Sequence, residues 1–184
     1  DSAIVEKLML KNPDLKISEG DIRDIHYLDN YFDTVLCFGV IGGLSYDTSN
    51  AVLELQRVTK HGGIVIVSVM LQNIARQFMR IISIVSNSSD PVQFYAWMDT
   101  EKGWKNYFNS FGFDVLECEE VVLKYNLWYW GKFLRSSKKI NLQRTRIEDN
   151  EFKFNFLGQI LWLIHKYFLR KEMASAMTFV LKKK

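Results

Sequence analysis

The chain has 184 residues, 48% of them hydrophobic and 24% charged, a globular balance that excludes a disordered or low-complexity protein and suits a single domain with its own core. No apolar run reaches the roughly 18 residues of a membrane span, no secretory leader is visible, and Cys37 and Cys118 have no ligand-like pairing, so a reduced, cytoplasmic protein is expected. The net charge of +3 divides unevenly: from Glu119 onward 14 basic residues face 6 acidic ones, a balance of +8, yet they are dispersed among Trp, Phe and Leu, unlike the compact patch of a nucleic-acid reader.

Residues 3–11 are helical in pattern, with Ile4, Leu8 and Met9 on one side and Asn12-Pro13 as the stop. Residues 15–18 read as a short strand leading to Gly20-Asp21. The apolar run at 34–38, after Asp33, is rich in β-formers and reads as a strand buried on both faces. Gly39, Gly42 and Gly43 form a loop, and Ser45, Asp47, Thr48 and Ser49 offer helix caps. Ala51, Val52, Leu55 and Val58 recur at helical spacing, Glu54 and Arg57 lie three apart on the polar side, and Gly62-Gly63 is the expected stop. A second apolar run, 64–69, completes strand, helix and strand, which predicts a βαβ crossover inside a parallel sheet.

Beyond that unit, residues 72–85 carry an apolar face at helical spacing and 87–91 break it. A helix is expected over 100–111, with Trp104, Tyr107, Phe108 and Phe111, then a strand over 113–122. About fifty residues separate it from residues 175–182, more than a hairpin requires. They include Trp128 and Trp130 and end in an apolar helix over 156–169 that carries Trp162.

The segments EGDIRDIHYLDNYFD, FDTVLCFGVIGGL and LELQRVTKHGGIVIVSV, in that order, resemble the class I S-adenosylmethionine-dependent methyltransferase family, type 11-like, over roughly fifty residues. FGFDVLECEEV is similar to a later strand of that family, after which the resemblance implies a last, antiparallel strand at 175–182. Two positions depart from its pattern: Gly42-Gly43 stands where many relatives carry Glu-His, and His61 stands in place of Pro. The resemblance implies an α/β, Rossmann-like fold and methyl transfer from S-adenosylmethionine to a small-molecule or lipid-like acceptor. It also implies that the Asp21 carboxylate receives the adenine amine, that Ile22 presents backbone beside the ring, and that Cys37, Phe38 and Gly39 follow at the carboxyl end of their strand. Family members precede such segments with a Gly-rich strand and an acidic ribose ligand, and neither occurs here. An N-terminally incomplete copy of a larger domain is therefore expected, with an open edge on the 34–38 strand and with upstream coding sequence supplying the Gly-rich loop.

Residues 70–98 and 127–172 are expected to form inserts acting as a substrate lid, the second of them aromatic and basic enough to touch a membrane surface peripherally. No catalytic base is assigned. His26, His61 and His165 read as structural, Tyr46 and Asp47 lie better placed but unproved by spacing, and no residues are assigned to a metal. The alternative is a truncated, inactive Rossmann-like binding module. A nicotinamide-dependent oxidoreductase is weaker, since nothing after the 64–69 strand resembles a hydride-transfer site.

Overall fold

The computed structural model describes residues 2–42, 48–72, 98–121, 153–167, 174 and 176–184. Helix α1 (Ser2–Lys11) comes first, then β1 (Phe32–Phe38), α2 (Ser49–Val58) and β2 (Thr59–Leu71). After these come β3 (Met98–Asp99), α3 (Glu101–Ser110), β4 (Phe113–Val121), α4 (Phe156–Tyr167) and β5 (Ala176–Lys183). The sheet order is β1-β2-β5-β4, with β3 a short parallel partner of β2. Strands β1 and β2 are parallel, and β5 is antiparallel to both β2 and β4. The strands β1, β2 and β4 therefore end on one edge of the sheet.

The expected βαβ unit is present, and its helix passes into the second strand earlier than the glycines suggested. Thr59 is already extended, and its hydroxyl donates to Leu55 O at 2.6 Å, closing α2 without Gly62 or Gly63. The two glycines lie instead inside β2, where the register with β1 slips between Phe32↔Thr59 and Thr34↔Ile64. At the other end of α2 the N-cap is Thr48, whose hydroxyl lies 2.7 Å from Tyr107 Oη and makes no capping bond, so it joins α2 to α3. Thr100 does cap α3, accepting from Gly103 N–H at 3.1 Å.

Side-chain alternation decides where the core sits. Val65, Val67 and Val69 of β2 lie beside Leu181, Phe179 and Met177 of β5, and all six are buried together. Cys37 joins them from β1, and Ala51, Val52 and Leu55 of α2 and Trp104 and Phe108 of α3 cover them. One face of the sheet is thus closed by two helices. The opposite face of β1 is open: Leu36 is 61% and Phe38 57% exposed, so this strand is not buried on both sides as its unbroken apolar run suggested. A continuous apolar run is compatible with either arrangement, and among the described residues the helices that cover β1 lie on one side only.

Among the described residues β1 pairs with β2 alone, so the expected open edge is present. Residues 15–18 form no strand. The helices expected from 100 and 156, and the strands expected from 113 and 175, fall within about two residues of their observed ends. β5 enters between β2 and β4, as a final antiparallel strand should. Most of the two expected lid inserts, including Trp128 and Trp130, lies outside the described residues, as does the helix expected over 72–85. Helix α4 is described: Trp162 stacks on buried Phe154, while Phe156, Leu157, Ile160, Leu163, Ile164 and Tyr167 form an exposed stripe. No helix among the described residues is long and apolar enough to cross a membrane.

Candidate functional site

Two groups of residues define the candidate site, the turn at Asp21-Ile22 and the exit from β1 at Cys37-Phe38-Gly39. The turn is closed by Asp24 N–H donating to Asp21 O at 3.0 Å. The Asp21 carboxylate accepts from Arg23 three ways: from its backbone N–H at 2.9 Å and from Nε and Nη2, the latter at 2.5 Å. This fork holds the Asp21 carboxyl down at about 2, chiefly through the Arg23 side-chain hydrogen bonds, so it is ionised at neutral pH. Oδ1 accepts from the Arg23 backbone N–H and Nε, and Oδ2 from Nε at 3.1 Å and from Nη2, while the carboxylate stays half-exposed. Ile22 and Ile25 turn inward against the same core that holds Cys37, while Asp21 stays at the surface.

Three tethers fix the approach of this segment. Tyr31 N–H donates to Val58 O and Asn30 N–H to Arg57 O, both at the end of α2. Ile25 N–H donates to Glu54 Oε2 at 2.7 Å, one turn further back. Followed backward from Tyr31 to Ile25, the segment therefore climbs α2 from its last turn toward its first. That direction leads to the carboxyl edge of β1, because α2 begins there.

At that edge the backbone turns at Gly39 with φ +71°, in the left-handed region that favours glycine. Its N–H donates to Ser68 Oγ at 2.9 Å, across from β1 on β2. A Cβ placed on Gly39 would meet nothing within 4 Å, so the peptide borders open space. Phe38 projects from the open face with 57% exposure, whereas Cys37 is buried at 4%. Ser68 was not singled out from the sequence, since a serine inside an apolar strand carries no signal until its neighbour is known.

Burial pushes the Cys37 thiol up to about 11, against the lowering effect of the Ile41 backbone hydrogen bond, so it is a protonated core residue and no nucleophile. The native state holds this proton more tightly than the unfolded chain. Its stabilising contribution is therefore fully present below the unfolded value of 9.0 and is lost as pH rises toward about 11. In the native protein at pH 8, Cys37 is expected to resist iodoacetamide and to react once urea unfolds the chain. Peptide mass spectrometry checks this, and rapid native labelling would contradict it.

The histidines find structural partners where they are described. His26 Nδ1 lies 3.0 Å from Asp24 O, and His61 Nδ1–H donates to Lys184 O at 2.8 Å. Tyr46 and Asp47 lie outside the described residues, and the His165 side chain does too.

Residues 3–67 match the family described as "Methyltransferase domain", a span that includes the Asp21 turn, all of β1 and α2, and β2 as far as Val67. Over this segment the chain is similar to that family. No curated protein matches the chain. Among solved structures it is similar to the [4+2]-cyclase SpnF, with 16% identity and a TM-score of 0.57 over 98% of this chain and 61% of that one. A candidate sarcosine dimethylglycine methyltransferase from Galdieria sulphuraria has 14% identity and a TM-score of 0.59 over 100% of this chain and 67% of its own. A SAM-dependent methyltransferase from Thermotoga maritima has 15% identity and a TM-score of 0.54 over 97% and 70%. At such identities the likeness is one of fold. The chain spans about three fifths of the cyclase's length. The solved neighbours share its α/β, Rossmann-like fold, as the family resemblance implied.

Proposed function

We propose that the protein transfers a methyl group from S-adenosylmethionine to a small-molecule or lipid-like acceptor. The family match over residues 3–67 carries this reading. Two features of the site support it: the Asp21 carboxylate is ionised and half-exposed, and the Gly39 peptide borders open space at the carboxyl edge of the sheet. The residues present fit an adenosyl ligand in that respect. Asp21 would accept the adenine amine, the Ile22 backbone would lie beside the ring, and Gly39 would allow close approach.

The cofactor, when bound, supplies an activated methyl group on a positively charged sulfur. The chain's own tasks are to hold the ligand, orient the acceptor and exclude water. Phe38 offers an apolar surface at the mouth of the β1 exit, and Ser68 holds the Gly39 turn in place. A fold neighbour is named a [4+2]-cyclase, so the fold by itself does not name the reaction, and the cofactor must be tested directly.

Calorimetric titration with S-adenosylmethionine is the test. Binding by the wild-type protein is expected, and Asp21→Ala should weaken it roughly 10- to 100-fold, because the adenine amine then loses its charged acceptor. Since Asp21 titrates near 2, affinity should not change through this group between pH 5 and 8. A wild-type protein without affinity for the ligand would favour the binding-module reading. An unchanged dissociation constant in Asp21→Ala would remove that carboxylate from the site.

A further inference from the structure

Arg57 makes more hydrogen bonds than its place on the polar side of an amphipathic helix requires. Nη1 donates to Tyr27 O at 2.8 Å and to Asp29 Oδ1 at 2.7 Å. Nη2 donates to Ile25 O at 2.7 Å and to Glu54 Oε2 at 2.8 Å, and Nε donates to Glu54 Oε1 at 2.7 Å. Glu54 Oε2 in turn accepts Ile25 N–H, so both polar groups of the Ile25 backbone are gripped by one ion pair on α2. The Glu54 carboxyl is held below the usual carboxylate range by Arg57 first of all, with the Ile25 N–H contributing, so the pair stays charged at neutral pH. The Glu54 side chain is only 17% exposed, and bonds made there are shielded from solvent more than a surface pair would be.

A guanidinium is suited to this work. Its planar fork can meet two backbone carbonyls and two carboxylates at once, which a lysine cannot do. The segment it holds has no regular secondary structure between Asp24 and Phe32, and the backbone there needs partners from elsewhere. The grip reaches Asp21 through the turn next to it. Ile25 follows the turn that Asp24 N–H closes onto Asp21 O, and Arg23 within that turn fixes the carboxylate. From α2 to the Asp21 oxygens the connection runs through hydrogen bonds at Ile25, one peptide bond to Asp24, and the hydrogen bonds of the Asp21 turn.

We propose that Glu54 and Arg57 are positioning residues that set the Asp21-Ile22 turn at the height of the β1 exit, making α2 the support of the adenine side of the site. The proposal rests on the reading of Asp21 as a cofactor ligand. Both residues direct their polar atoms to Ile25, Tyr27, Asp29 and each other. They act by fixing a loop whose displacement by about an ångström would misdirect the carboxylate.

The experiment measures dissociation constants for S-adenosylmethionine and for methylthioadenosine, which keeps the adenine and lacks the amino-acid end. The wild-type protein is compared with Arg57→Met, Arg57→Lys, Asp21→Ala and the double variant Arg57→Met/Asp21→Ala. Arg57→Met should weaken both ligands by the same factor, roughly tenfold, and that factor should vanish in the Asp21→Ala background. A merely structural role would instead leave the two losses additive. Arg57→Lys keeps the charge and the stem, and serves if Arg57→Met does not fold. It should lose several-fold in affinity while its unfolding midpoint stays close to wild type. Additive losses, or unchanged affinity in a folded Arg57 variant, would overturn the proposal while leaving cofactor binding intact. Absence of binding by the wild-type protein would overturn both readings.

Discussion

Trp104→Ala is expected to destabilise the protein by about 3–5 kcal/mol, the range for removing a fully buried large aromatic. Trp104 is 1% exposed, stacks on Phe108 with centroids 5.7 Å apart, and meets Tyr107 edge-on at the same distance. Phe108 then packs on Phe179 of β5 at 5.5 Å, so the indole is the outer member of a stack that fastens α3 to the sheet. Its Nε1–H donates to Met70 O at 2.9 Å, close to the point where β2 takes up β3. Trp104→Phe separates these contributions. It keeps most of the ring, and should cost about 1 kcal/mol for the carbonyl left without its donor, plus a smaller packing loss. Urea unfolding of the three proteins checks the order. A loss below 1 kcal/mol for Trp104→Ala would mean that α3 is held by other contacts.

The second large effect belongs to Gly63, which no apolar pattern could single out. A Cβ there would lie 2.8 Å from Lys60 O, 2.9 Å from Thr59 Cγ2 and 3.0 Å from Asp33 O. Two of these are backbone oxygens, one from each strand of the β1–β2 pair, and neither can rotate away. Gly63→Ala should therefore force the register slip open and cost roughly 1–3 kcal/mol, the range for overpacking a fitted interior. Gly62→Ala makes a useful comparison. Its nearest neighbour would be Lys182 Cε at 3.9 Å, so only its φ of +74° resists the change, at about 1–2 kcal/mol. A drop in the urea midpoint for Gly62→Ala without one for Gly63→Ala would reverse this assignment.

Much of the architecture was legible because periodicity is local. Ala51, Val52, Leu55 and Val58 lie on one face of any helix they form, and all four are buried. The family segments then ordered these elements, and β5 was placed antiparallel by the same resemblance. The misreadings share a cause. The apolar run of β1 says that its residues prefer an interior, but the number of covered faces depends on helices elsewhere in the chain, and Leu36 and Phe38 remain exposed. Gly62-Gly63 reads as a helix stop, because glycine ends helices and also permits bulges, and only the pairing with β1 separates the two. Residues 15–18 have strand-like content and no strand beside them to pair with.

The candidate site divides in the same way. By itself the sequence determined which residue types could serve: an acidic residue after Gly20, a glycine after an apolar strand, and a glutamate and arginine three apart on one helix face. Only the tertiary structure decided what they touch. Arg57 closes on residues 28 to 32 positions away, Ser68 receives the Gly39 N–H from 29 positions away, and Lys183 Nζ reaches Asn30 Oδ1 across 153. The physical reason is that backbone geometry repeats every two or 3.6 residues, so element type is written within a short window. A hydrogen-bond partner, by contrast, is selected by strand order and register, which are settled only when distant elements bury their apolar faces together.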